Sequence, residues 1–96
     1  MNVGILGFAH PHVHAYIGEW RQHPEYDVTV AAGWDHDGAR AGQNADKLGI
    51  PMAASPEELL GRADIGGVVI ASETSLHADL VEMAAAAGKP VVVQKP

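Results

Sequence analysis

The stretch GFAHPHVHAY, residues 7–16, carries three alternating histidines, His10, His12 and His14. Imidazole is a good ligand for zinc and similar ions. In an extended segment all three rings would share one face, because strand side chains alternate with a period of two. Pro11 and the apolar spacing that starts at Val13 point instead to a helix. On a helix, at about 100° per residue, His10 and His14 share a face while His12 points about 200° away. One ion cannot then collect all three. A hydrolase that begins its site with such a His-x-His pair also draws ligands from later strands of a barrel of about 250 residues, which 96 residues cannot build. No metal site is assigned. A metallohydrolase with an ion on His10 and His12 is kept as an alternative that elemental analysis decides.

The same stretch fits a second chemistry. The apolar run VGIL ends at Gly7 just before the helical segment, and a strand, a tight glycine turn and a helix N-terminus together make an anion cradle. In the G-x-G-x-x-G register the positions are Gly7, Ala9 and His12. Only the first glycine is kept. Asp35 follows the second strand-like run, 23 positions after His12, where a carboxylate accepts hydrogen bonds from an adenosine ribose. An acid there repels a 2′-phosphate, so NAD is expected over NADP, although Arg40 tempers this. WDHDG is also a plausible turn, so Asp35 could simply be a turn or cap residue.

The elements that must position these residues are short. VGIL (3–6), DVTVAAG (27–33), IGGVVIA (65–71) and VVV (91–93) read as buried parallel strands, with a weaker strand near Ile50–Ala53. Val13, Tyr16, Ile17 and Trp20 mark a first helix over 11–22. Asp37 caps a second, with Ala41, Ala45 and Leu48 inward and Gly49 closing it. Ser55 caps SPEELLG. Leu76, Leu80, Met83 and Ala87 form the stripe of a last helix that Gly88 closes. Alternation of strand and helix implies a parallel α/β sheet in one domain. The net charge of −6, without a Lys/Arg cluster, argues against nucleic acid or a membrane surface as partner. With no cysteine, disulfides and zinc–thiolate sites are excluded and thiols say nothing of compartment. The N-terminus reads as no secretory leader and the apolar tracts are short, so the expected location is cytoplasmic.

GVVIASETSLHADLVEMAAAAGKPVVVQKP (67–96) resembles the strand, Ser-Leu-His helix, Ala-Gly-Lys turn and terminal Glu-Lys-Pro of the glucose–fructose oxidoreductase / inositol dehydrogenase (Gfo/Idh/MocA) family. The likeness extends over nearly the whole chain. It implies a Rossmann-type α/β sheet, order 3-2-1-4-5, with helices on both faces. It also implies the dinucleotide-binding domain of an NAD(P)-dependent oxidoreductase acting on a sugar, polyol or related compound. Gly7, Phe8, Ala9, His10 and His12 would then line the pyrophosphate, and Asp35 would hold the adenosine ribose. Ser72 and Thr74 would flank the nicotinamide-side ribose and phosphate, with His77 and Gln94 near the nicotinamide pocket. Lys95 would be the catalytic lysine that orients the reacting oxygen.

Four positions depart from the family pattern: Ala9 and His12 for the later glycines, Glu73 for a proline, and Gln94 for the glutamate of Glu-Lys-Pro. Family members continue into a second domain that supplies the acid/base. The 96 residues alone are therefore expected to have negligible dehydrogenase activity, and to self-associate through uncovered sheet edge. A non-catalytic binding or sensing module with an altered loop is the competing expectation.

Overall fold

Residues Asn2–Leu6 form β1, whose last four residues are buried, as a strand covered on both faces must be. The computed structural model describes residues 1–10 and 12–93. Pro11, Gln94, Lys95 and Pro96 lie outside the described residues, and with them the expectations for Gln94 and Lys95. Helix α1 (His12–Gln22) follows, then β2 (Thr29–Trp34), α2 (Gly38–Leu48), α3 (Pro56–Leu60), β3 (Gly67–Ile70), α4 (Thr74–Ala86) and β4 (Val91–Val93). The described strands form a parallel sheet in the order β2-β1-β3-β4. Among the described residues four strands are assigned, and their order agrees with part of the expected 3-2-1-4-5 arrangement. At the outer side of β2 stands an isolated parallel bridge, Gly33 to Met52, because the run near Ile50–Ala53 pairs at one residue only.

Register explains how the two faces are filled. The pairing of β1 with β2 slips between Val3 and Gly4, leaving Ala31 as an extra residue. Such a bulge resets the alternation of side chains. Val30 consequently packs with Ile5, Val13 and Ile17 beneath α1, whereas Ala32 joins Leu6, Leu59, Ile70, Leu80 and Ala84 beneath α3 and α4. Helices thus cover both faces.

Helix ends follow local chemistry. The Asp37 side chain accepts from the Arg40 amide at 3.1 Å, and Ser55 Oγ accepts from the Glu58 amide at 3.1 Å. Where tertiary packing decides, the expectations need correcting. The second strand starts at Thr29 rather than residue 27, because Asp27 adopts φ 55° to end the single 3-10 turn Pro24–Tyr26. The third strand is likewise shorter, Gly67–Ile70. Tyr16 is 43% exposed rather than inward, stacked on Trp20 at 6.3 Å. On α2 the expected Ala41, Ala45 and Leu48 are half-buried, with Leu48 packed on the core. Asn44 is buried beside them, its Nδ2 donating to the Arg40 carbonyl at 2.8 Å. On α4 the inward residue is Ala84, and Ala87 is exposed. Among the described helices none is long and apolar enough to cross a membrane.

The Ala-Gly-Lys turn has a physical reason. Gly88 takes φ 73° after α4, and Lys89 Nζ donates to the carbonyls of Arg62 (3.0 Å) and Ile65 (2.5 Å), holding the entry to β3. Charge-assisted hydrogen bonds contribute about 1.5–3 kcal/mol each, less where water competes. Lys89→Met is expected to lower the unfolding free energy by about 2 kcal/mol, read as a shift of the urea midpoint.

Candidate functional site

Because the strands are parallel, the residues that follow β1, β2 and β3 meet at one edge of the sheet: Gly7, Asp35 and Ser72. Gly7 has φ 95°. A Cβ there would lie 2.5 Å from Ser72 Cα and 2.7 Å from its nitrogen, so the loop rests directly on the chain after β3. The loop is stitched to both neighbours. The Gly7 amide donates to the Trp34 carbonyl at 2.7 Å, and the His10 amide donates to the Ala71 carbonyl at 3.0 Å. Phe8 is buried, its ring pressed over Gly33; it anchors the loop rather than facing the edge.

The histidines separate differently from the helical expectation, which paired His10 with His14. His10 precedes α1, and its Nδ1 accepts from the His12 amide at 3.3 Å. The two rings lie 4.6 Å apart between centroids. His14 turns toward Phe8 instead. Burial, with Lys47 adding, pushes its pKa down, and its Nδ1 is buried without a hydrogen-bond partner among the described residues. Ala9 and His10 are half-buried and His12 exposed. The amides of Gly7, Phe8, His10 and His12 all have acceptors within the chain. Four of the loop's backbone amides are thus engaged, and the His10 and His12 imidazoles stand there as additional donors.

Asp35 is the best-held polar group at the edge, its side chain fully buried. Oδ2 accepts from the Phe8 amide (3.0 Å) and Arg40 Nε (2.6 Å). Oδ1 accepts from the Asp37 amide (3.0 Å) and Arg40 Nη2 (2.8 Å). A carboxylate offers about four lone-pair directions, so these contacts saturate it. Burial pushes its pKa up, but the Arg40 guanidinium and the two amides outweigh that and hold it below the usual range. Arg40 Nη2 also meets Glu73 at 3.1 and 3.0 Å. The hydrogen bonds that Arg40 donates to Asp35, and then to Glu73, hold its pKa above the usual value against the opposing effect of burial. For Glu73, burial raises the pKa, and its own amide, Arg40 and His36 together carry it below the usual range.

Ligand-type atoms of Asp35, His36 and Glu73 lie within 4.8 Å of one another, and Arg40 already supplies the positive charge among them. His36 stands 3.5 Å from Asp35 and 3.3 Å from Glu73. On the β3 side, Ser72 is buried and its Oγ donates to the Glu73 carbonyl at 3.2 Å. Thr74 and Ser75 are exposed in the first turn of α4. His77 Nε2 lies 2.8 Å from the Ser72 carbonyl. A carbonyl only accepts, so Nε2 carries the proton and His77 fixes the β3–α4 turn. Sequence reasoning saw Asp35 but not its saturation, and missed the Arg40–Glu73 contact, which no local spacing announces. Cavities among the described residues that lie away from this edge include one of about 490 Å³ between α3 and α4 and one of about 250 Å³ beside Trp20 and Val28.

Comparison with known proteins agrees with this geometry. Residues 1–96 match the Gfo/Idh/MocA profile, an oxidoreductase family with an NAD-binding Rossmann fold. The chain is 40% identical to D-xylose 1-dehydrogenase (NADP(+)) 2 of Haloferax volcanii, over 100% of this chain and 29% of that one. It is 32% identical to dTDP-3,4-didehydro-2,6-dideoxy-alpha-D-glucose 3-reductase of Streptomyces antibioticus, with the same coverage of both. Biliverdin reductase from Synechocystis, solved with biliverdin and NADP+, superposes with a TM-score of 0.85 at 27% identity, over 99% of this chain and 29% of that one. The chain thus spans less than a third of the length of these relatives.

Proposed function

The chain belongs to the Gfo/Idh/MocA oxidoreductase family, and from that premise we propose that residues 1–96 form the cofactor-binding unit of an NAD(P)-dependent oxidoreductase. Its substrate is a sugar, a polyol or a related hydroxy or keto compound, the class that the xylose dehydrogenase and the dTDP-sugar reductase suggest. The observation that carries the reading is the loop after β1, stitched to β2 and β3 at their carboxyl ends with Gly7 at φ 95°. In an open parallel sheet the crevice at that edge is where ligands bind.

The adenosine ribose meets Arg40, which the buried and saturated Asp35 carboxylate holds in place, and the pyrophosphate meets the loop of Gly7, Ala9, His10 and His12. Because the amides of Gly7, Phe8, His10 and His12 are engaged, the His10 and His12 imidazoles donate to phosphate beside the Ala9 amide. Ser72, Thr74 and Gln94 line the nicotinamide side, with His77 holding the turn and Lys95 orienting the reacting oxygen. The dinucleotide supplies hydride exchange at its nicotinamide ring. The bridge of Met52 to Gly33 supports taking the run near Ile50–Ala53 as the outer member of a five-strand order 3-2-1-4-5.

The engaged amides also favour a second reading, a module that no longer holds dinucleotide. Calorimetric titration of the protein with NAD and NADP separates the two. Saturable binding is expected at about 1 mM or below, within the usual range for enzymes. No heat from either cofactor would leave the family fold without its ligand.

A further inference from the structure

Glu73 occupies the N-cap position of α4, yet its side chain makes no capping hydrogen bond. The carboxylate turns instead to α2, where both oxygens meet Arg40 Nη2 at 3.1 and 3.0 Å, and Oε2 lies 3.3 Å from His36 Nε2. Strands β2 and β3 flank β1 on opposite sides. The contact therefore runs from one side of the β1 loop to the other, across the edge of the sheet. One guanidinium nitrogen is shared by Asp35 and Glu73, so Arg40 faces two carboxylates and the group carries a net negative charge when His36 is neutral.

We propose that Glu73 is a positioning residue that sets cofactor choice: by holding the Arg40 guanidinium from the β3 side, it disfavours a dinucleotide bearing a 2′-phosphate and so favours NAD. The proposal rests on the reading that this edge binds dinucleotide. A phosphate monoester near neutral pH carries a charge of about −1.5 to −2. To take the Nη1–Nη2 edge of Arg40 bidentately it must displace Glu73 from Nη2, and the displaced carboxylate then remains beside the phosphate with Asp35 close by. Like charges brought together in a partly desolvated site are strongly unfavourable. A 2′-hydroxyl is neutral and can share Arg40 without breaking the contact. Arg40 and Glu73 are only partly exposed, at 27% and 38% of the side chain, so water screens this repulsion incompletely.

The test is calorimetric titration with NAD and NADP, at one ionic strength and pH 7, of the wild-type protein, Glu73→Gln, and Glu73→Gln combined with Arg40→Met. Wild type is expected to bind NAD more tightly than NADP. Glu73→Gln is expected to improve the NADP dissociation constant about tenfold and to leave that for NAD within about twofold, tenfold corresponding to about 1.4 kcal/mol. Adding Arg40→Met should abolish the gain. A variant that shifts both cofactors equally, or neither, would show that Glu73 only braces the turn, and would overturn this proposal while the site reading stands. Failure of both cofactors to bind wild type and variants alike would overturn the site reading and this proposal with it.

Discussion

Gly7→Ala is expected to lower the unfolding free energy by about 4 kcal/mol, as the sum of two penalties. Holding a residue with a Cβ at φ 95° costs about 1–3 kcal/mol. The added atom would also stand 2.5 Å from Ser72 Cα and 2.6 Å from its Cβ, and forcing an extra carbon into a packed site costs about 1–3 kcal/mol. The obstacle is backbone, so it cannot rotate aside. Gly4 makes the contrast, since its closest obstacle, at 2.5 Å, is the Leu59 Cδ2 methyl, the end of a flexible side chain. Gly42 on α2 has nothing within 4 Å, and Ala there should gain about 0.5–1 kcal/mol through helix propensity and a less disordered unfolded chain. A domain of 96 residues has roughly 5–14 kcal/mol of stability, so Gly7→Ala removes a large part of it. Urea unfolding with Gly42→Ala as control checks this, and a Gly7→Ala midpoint equal to wild type would mean that the loop does not rest on Ser72 as described.

Part of this arrangement is legible in the sequence itself. Helix ends at Asp37, Gly49, Ser55 and Gly88 were legible because capping is settled within a few residues. That Gly7, Asp35 and Ser72 share an edge was legible too, since the carboxyl ends of parallel strands point the same way. Tyr16 and Asn44 were not. Their burial depends on how α1 and α2 lie on the sheet, and helical spacing alone assigns Tyr16 to the wrong side. The strand boundary at Thr29 was hidden by the left-handed turn at Asp27, a conformation uncommon outside glycine. Least legible was the state of Asp35. The motif marks it as a free acceptor, whereas Arg40 comes back from the first turn of α2 and Glu73 reaches Arg40 from 33 positions away. No spacing rule joins residues so far apart.

Asp35→Ala is expected to cost about 3 kcal/mol at neutral pH, because the carboxylate is a hub and not merely one partner of a pair. Removing one member of a buried ion pair costs about 3–5 kcal/mol. Here Arg40 keeps Glu73 and is partly exposed, which lowers that figure. The Phe8 amide, however, loses its buried acceptor, at a further cost of about 1–3 kcal/mol. The effect must depend on pH. In the folded protein Asp35 titrates below its ordinary value, so its stabilisation is complete above the ordinary aspartate range and is lost as pH falls through the folded value. Wild type should therefore lose stability toward pH 3 faster than the variant does, and the gap between them should narrow on acidification. Some acid sensitivity should persist in the variant, since Glu73 is also held below its ordinary value and keeps Arg40. Urea midpoints of both proteins between pH 7 and pH 3 measure the gap directly, and a gap that stays constant across that range would mean that the Asp35 carboxylate is not the charged hub of this edge.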